Sequence, residues 1–361
     1  MAKKRKKAAP VEEPEDDAPG WHAIDAACEA LYPKEKNPVH VAPALSPIFS
    51  GEGLIYGISA YKATKPTHWH FVTYGFSELY AKESDNPDVS GWGFELTFRL
   101  TRGREKQPPN WAFNFLMNLG SYVRRSGNPF GSGHAMDING PIAIGTNTAI
   151  RAIAFTRDPQ FGTIDTPNGR LEFLQVVGLT LDEHDACGNW HTGGVLEAMQ
   201  DPNPLLITDL ARRSILETPV SANRIQTGID VEGSQSDRAF VAVVEWTTTG
   251  RGSKRTASVT LGAKGVRTLV GKLRSRLAHG RDFALIGRGA SVQFLMGPRV
   301  ALKTFEGLLT ITLTPEALEA MRRTLQPIRG RYTWPELPGL AIEVQPSEIT
   351  DSTGKVVEVI G

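Results

Sequence analysis

Hydrophobic and polar residues alternate most regularly across residues 93–100, where Phe94, Leu96, Phe98 and Leu100 interleave with Glu95, Thr97 and Arg99. A repeat of two puts one set on each face of a pleated strand. This predicts a half-buried strand with its polar set in water. Residues 69–74 and 151–155 read as further strands, and 170–179 as another, entered through the turn Thr166-Pro167-Asn168-Gly169. Helical spacing brings Ile24, Ala27 and Leu31 onto one face of residues 22–31. It also brings Trp111, Phe115, Leu119 and Tyr122 together along a helix opened by Pro108 and Pro109.

In the second half, residues 239–246, 256–261, 282–286, 291–296, 308–313 and 339–344 have strand character. Residues 264–278 are amphipathic, with Val266, Leu269, Val270, Leu273 and Leu277 on one stripe. A last helix starts with Thr314 as N-cap and Pro315 at its first position. Strands and helices do not alternate as βαβ units. The expectation is therefore an α+β protein of two mixed α/β domains, with antiparallel-rich sheets flanked by helices.

The length of 361 residues suits two domains. With 40% apolar and 22% charged residues the chain has material for a core. Residues 1–20, a basic block (Lys3, Lys4, Arg5, Lys6, Lys7) followed by an acidic one, have almost nothing to bury and are expected to be a disordered tail. The basic block reads as a solubilising arm, with a nuclear address as the alternative. Polar residues 230–237, with Gly233, Ser234 and Ser236, suggest a linker between domains at 21–232 and 238–346, and 347–361 would be a second tail. No apolar run reaches a membrane span and no secretory signal opens the chain. Two cysteines, Cys28 and Cys187, make no disulfide framework, so a cytoplasmic protein is expected.

The net charge of +1 conceals an asymmetry: 17 basic against 24 acidic residues over 21–237, then 17 against 5 over 238–331. Residues 251–281 hold nine Lys/Arg and no acid. That stretch suits an acidic protein surface, or pairing with the chain's own acidic part, better than nucleic acid, because it lacks aromatic residues for stacking. Motifs of catalysis are missing: no nucleophile elbow, Walker loop, H-E-x-x-H or C-x-x-C. Gly131-Ser132-Gly133 follows a predicted helix rather than a strand, so it reads as a structural loop and not a phosphate cradle. The neighbours Asp182, Glu183, His184 and Asp185 read as a solvated helix face. His68 and His70 share one face of a strand and would begin a metal site if His134, Asp137, His184, Cys187 or His191 completed it. Packed, hydrogen-bonded imidazoles are the simpler reading, and no metal or other cofactor is expected.

Several ordered segments resemble the Suppressor of fused family. They include His68-Trp69-His70-Phe71, Tyr74-Gly75-Phe76-Ser77-Glu78-Leu79-Tyr80, Gly91-Trp92-Gly93-Phe94-Glu95-Leu96, Asp158-Pro159-Gln160, Phe173-Leu174-Gln175-Val176-Val177-Gly178, Leu277-Ala278-His279-Gly280-Arg281-Asp282-Phe283 and Tyr332-Thr333-Trp334-Pro335-Glu336. The resemblance runs over about residues 21–345. It implies two domains closing on one another, no catalytic activity, and a protein partner whose extended segment is held in the cleft between them. Animal members of the family sequester zinc-finger transcription factors of Hedgehog signalling. Bacterial relatives are associated with toxin systems, as immunity proteins.

Aligned on that resemblance, Tyr122, His134, Arg157, Asp158 and Lys264 fall at partner-binding positions. His134, Arg157 and Lys264 stand where animal members use acids, and the long acidic, Ser-rich insertion of those proteins is missing between Trp246 and Thr256. Basic groups in place of acids reverse the local field, which suits an acidic partner. The expectation is a non-catalytic immunity protein that neutralises a cognate toxin. A regulator sequestering a transcription factor and a metal-dependent enzyme using His68 and His70 are the alternatives.

Overall fold

The computed structural model describes residues 18–43, 55–350 and 356–361. The expected tail at 1–20 lies outside these up to residue 17, as does the Lys3 to Lys7 run. In chain order the first elements are α1 (Pro19–Leu31), β1 (Val39–Val41), β2 (Gly57–Thr64), β3 (Thr67–Tyr74), β4 (Val89–Thr101), α2 (Asn110–Ser126), β5 (Ala135–Asp137), β6 (Ala152–Arg157), β7 (Thr163–Thr166) and β8 (Gly169–Leu179). Helices α3 (Leu181–Asn189), α4 (Thr192–Gln200) and α5 (Pro219–Val231) follow. Then come β9 (Arg238–Phe240), β10 (Val244–Thr249), β11 (Thr256–Gly262), α6 (Ala263–Ser275), β12 (Phe283–Ile286), β13 (Ser291–Met296), β14 (Ala301–Phe305), β15 (Leu308–Leu313), α7 (Pro315–Thr324), β16 (Gly330–Thr333), β17 (Leu340–Gln345), β18 (Ser347–Thr350) and β19 (Val356–Ile360). The fold is mixed α/β. No described helix is long and apolar enough to cross a membrane.

Two compact units emerge: Met1–Ser132 with Arg157–Val176, and Gly133–Thr156 with Val177–Gly361. In the first, β1, β2, β3 and β4 form an antiparallel meander, β8 joins β4 in parallel, and β7 hairpins onto β8. Ile24 and Cys28 of α1 are packed with Tyr61, Val72, Tyr74 and Phe173. Strand β4 departs from its predicted half-burial, because residues 94–100 are buried on both faces. Glu95, Thr97 and Arg99 are fully enclosed, each held by polar partners described below. Helix α2 has the expected extent but buries Phe113, Leu116, Leu119 and Val123, leaving Tyr122 37% exposed and stacked on Phe130.

The second unit contains the pair β5 and β6, the four-stranded sheet β10-β11-β17-β16, and the five-stranded sheet β14-β15-β13-β12-β9. Parallel pairs (β9 with β12, β11 with β17, β13 with β15) are more frequent than the antiparallel expectation allowed. The predicted strand at 239–246 divides into β9 and β10, which serve different sheets. Val266, Leu269 and Leu273 of α6 pack with Leu261, Phe283, Phe294 and Leu313, as the amphipathic stripe implied. Residues 347–361, expected as a tail, include the antiparallel β18 and β19 hairpin.

Residues 230–237 fall inside this unit, and here the linker expectation fails. Ser234 is fully buried. Its N–H donates to Ser275 O at 2.5 Å and its hydroxyl to Gly188 O at 2.7 Å, while Lys272 Nζ donates to Ser234 Oγ at 2.6 Å and Arg276 to Ser234 O at 2.9 Å. Lys272 also donates to Gly188 O. Small polar residues satisfy buried groups as readily as they solvate a linker, so composition does not separate the two. The basic helix α6 likewise meets the chain's own acids: Lys264 with Asp137 at 2.6 Å, Arg267 with Asp185 at 2.5 Å and Arg274 with Asp230 at 2.8 Å. Solvent screens such partly exposed charges, so these pairs add little to stability.

Candidate functional site

Two polar constellations stand out, one in each unit. In the first, Asp158 follows β6 and turns its carboxylate inward, with 1% of the residue exposed. Arg99 Nη1 donates to Oδ2 at 2.5 Å and Nη2 to Oδ1 at 3.0 Å; Thr97 Oγ1 donates to Oδ2 at 2.7 Å. The Gln160 and Phe161 N–H groups donate to Oδ1 at 2.8 and 2.9 Å, shaping the turn after Asp158. Arg99 also reaches Gln160 Oε1 at 3.0 Å and Gln175 Oε1. Burial by itself would raise the Asp158 pKa, but the hydrogen bonds and charge around it hold it well below the carboxylate range.

His70 stands beside this pair. Its Nε2 is 3.2 Å from Asp158 Oδ2 without hydrogen-bond geometry, and its Nδ1 is 2.7 Å from the Tyr32 hydroxyl. Complete burial, with Arg99 adding to it, lowers its pKa to about 3, so the ring is neutral near pH 7. His68 Nδ1 donates to Pro66 O at 2.7 Å, and burial lowers its pKa to about 4. Glu95 is enclosed on the same strand as Arg99. It accepts from Thr73 Oγ1 at 2.7 Å, Gly75 N at 2.8 Å, and Ser77 N and Oγ at 2.9 and 2.6 Å. Burial outweighs these donors and raises its pKa to about 7. His68 and His70 direct their nitrogens to different partners rather than to one point. Among the described residues no three His, Cys, Asp or Glu groups are placed to hold a metal ion.

In the second unit, β5 and β9 each end their sheet. Asn139, just after β5, lines one cavity of about 320 Å³ with Phe240 and the residues that follow it, with Lys264 and with Ser347. Lys264 Nζ donates to Asp137 Oδ2 at 2.6 Å and to Asn139 Oδ1 at 3.0 Å, so the Asp137 carboxyl stays below its ordinary pKa although burial opposes this. Phe240 is 80% exposed. Of the neighbouring group expected on a solvated face, Asp182 is exposed and Asp185 half exposed, but Glu183 is buried and receives both Arg212 Nη groups at 2.6 Å. It also closes a capping box with Thr180, the T-x-x-E spacing that announces a helix start.

The expected partner-binding residues therefore divide. Asp158 is enclosed, with no carboxylate face left for a partner. Arg157, the next residue back, points outward and pairs with Glu172 at 3.1 Å. Tyr122 is a surface ring of the first unit. In the second unit His134 is exposed immediately before β5, and Lys264 is paired with Asp137 at the end of that strand. Sequence reading missed Phe240 and Asn139 as parts of the cavity. Exposure at a strand edge depends on which strands pair, so nothing local to residues 238–240 reveals it.

The architecture is that of a known fold. The crystal structure of Drosophila Suppressor of Fused superimposes with a TM-score of 0.72 at 21% identity, covering 93% of this chain and 99% of that one. A chain of the Sufu-Fu complex crystal structure superimposes with a TM-score of 0.55 at 29% identity, covering 58% of this chain and 98% of that one. Residues 53–213 match the family model of the Suppressor of fused protein. The human and mouse Suppressor of fused homologues are each 35% identical over 235 residues, 60% of this chain and 48% of theirs. The chain is similar to the Suppressor of fused family over these residues and in its fold, and it spans about half the length of the curated relatives it matches.

Proposed function

We propose that the chain is a non-catalytic binding protein that sequesters a protein partner by holding an extended segment against the free strand edges of its second unit. The observation that carries this reading is that β5 and β9 both end their sheets while the residues just after each line one cavity. An edge strand offers unpaired N–H and C=O groups, and an added strand gains affinity from them and specificity from adjoining pockets. Phe240 is the exposed aromatic anchor such an edge needs. Lys264 and His134 give the site basic character, so the segment is acidic and competes with Asp137 for Lys264. Tyr122 and Arg157 are contacts on the surface of the first unit. Asp158 supports the turn beside Arg157 from within.

The partner is a toxin that the protein neutralises in the cytoplasm. The connection from β10 to β11 supports this, because only residues 250–255 lie where the animal relatives' insertion would be expected. A regulator that sequesters a transcription factor is the second reading, favoured by the 35% identity to the human and mouse Suppressor of fused homologues. The test is capture of the partner from source cells, then titration calorimetry with the purified partner. Phe240→Ala and Lys264→Glu should each weaken binding about tenfold, with circular dichroism unchanged. Unchanged affinity in both would overturn the strand-edge site.

A further inference from the structure

A cavity of about 510 Å³ opens in the first unit beside the turn from β2 to β3. Its wall carries Lys34, Lys62, Lys65 and Arg102 against one carboxylate, Glu35. None of the four cations forms an ion pair among the described residues. Arg102 and Lys62 lie over the Trp69 ring, 5.4 and 5.8 Å from its centre, and Arg102 Nε is buried without a partner. His68 belongs to the same wall. It is 1% exposed, its Nδ1 proton is committed to Pro66 O, and its Nε2 has no partner. A buried nitrogen left with a bare lone pair costs free energy unless something donates to it.

We propose that this cavity binds a phosphate monoester, with Arg102 and the lysines receiving the anionic oxygens and His68 Nε2 accepting the phosphate's remaining proton. A carboxylate or a sulfate offers acceptors only and leaves His68 Nε2 unpaired. A phosphate monoester bound as its monoanion, one proton beyond the dianion that prevails above its second ionisation near pH 6, supplies one O–H together with two anionic or acceptor oxygens. That combination matches a wall of cations around one acceptor. The groups facing His68 divide in sign: Arg99 and Arg102 oppose an imidazolium, and Asp158 and the Pro66 carbonyl favour one. A bound anion adds to the second group, so binding draws a proton into the site.

The test uses the whole chain labelled with ¹⁵N-histidine, titrated with inorganic phosphate near pH 7 at constant ionic strength. The expected result is a saturable shift of the His68 Nε2 resonance toward its hydrogen-bonded form, with sulfate binding about tenfold more weakly because it brings no donor. Equal responses to sulfate and phosphate, or no saturable response, would overturn the proposal. The exposed Lys34→Gln/Lys62→Gln/Lys65→Gln variant should fold normally and bind phosphate about tenfold more weakly; unchanged binding would also overturn it. A phosphoserine peptide and a nucleoside monophosphate separate the two sources of the ester. Tighter binding of either than of inorganic phosphate supports the assignment and names the source, whereas no gain from both removes the ester.

Discussion

Arg99 and Asp158 meet through two parallel hydrogen bonds, Nη1 to Oδ2 at 2.5 Å and Nη2 to Oδ1 at 3.0 Å, with neither side chain exposed. The pair ties β4 to the turn that follows β6, so the outward direction of Arg157 depends on an interaction beneath it. Asp158→Asn keeps the shape and removes the charge, leaving Arg99 buried beside a neutral amide. The expected loss is about 3–5 kcal/mol in urea denaturation, because one partner of a buried ion pair is stranded. The double variant Arg99→Met/Asp158→Asn should recover part of it.

His68 and His70 make stability depend on pH in a defined direction. Both are neutral when folded, with pKa values of about 4 and about 3 against 6.5 in the unfolded chain. The unfolded state therefore binds more protons between these limits. Their contribution is complete above pH 6.5 and is lost as pH falls toward 4 and then 3. Denaturation midpoints between pH 4 and 7 should rise with pH, and His70→Gln should flatten that slope.

Glu95 acts with the opposite sign. Its folded pKa of about 7 lies above the ordinary 4.5, so the folded state holds a proton that the unfolded state has lost. The stability of the protein relative to Glu95→Gln should be greatest below pH 4.5 and should decline as pH rises through 7. A difference that grows with pH would show that the Glu95 carboxylate is stabilised by its four donors more than it is penalised by burial.

Ser234 predicts a pattern of proteolysis. Residues 230–237 should resist cleavage in the native protein, because Ser234 is bonded to Ser275, Gly188, Lys272 and Arg276. The exposed turn near Gly250 and Arg251 should be cut first among the described residues of the second unit. Ser234→Ala removes a partner of Lys272, whose pKa burial has already lowered to about 8. The variant should lose about 1–3 kcal/mol and become sensitive to cleavage near residue 234, as read by denaturation and mass spectrometry of the fragments.

Periodicity alone determined most of the elements: β4 from its alternation, α6 from its apolar stripe, α7 from Thr314 and Pro315, and the hairpin before β8 from its turn residues. These are local properties, decided by backbone geometry and by which side chains avoid water. The resemblance to the Suppressor of fused family was also legible, since ordered matches such as His68-Trp69-His70-Phe71 are written in the chain itself. Burial on the second face of β4 was not. Glu95, Thr97 and Arg99 read as solvent-facing until Thr73, Ser77 and Asp158, distant in sequence, are brought against them, and a polar residue enters the core only where such partners exist. The fate of Ser234, the enclosure of Asp158 and the free edges of β5 and β9 have the same origin. Each depends on contacts between segments far apart in the chain, which a pattern read along one strand of sequence does not contain.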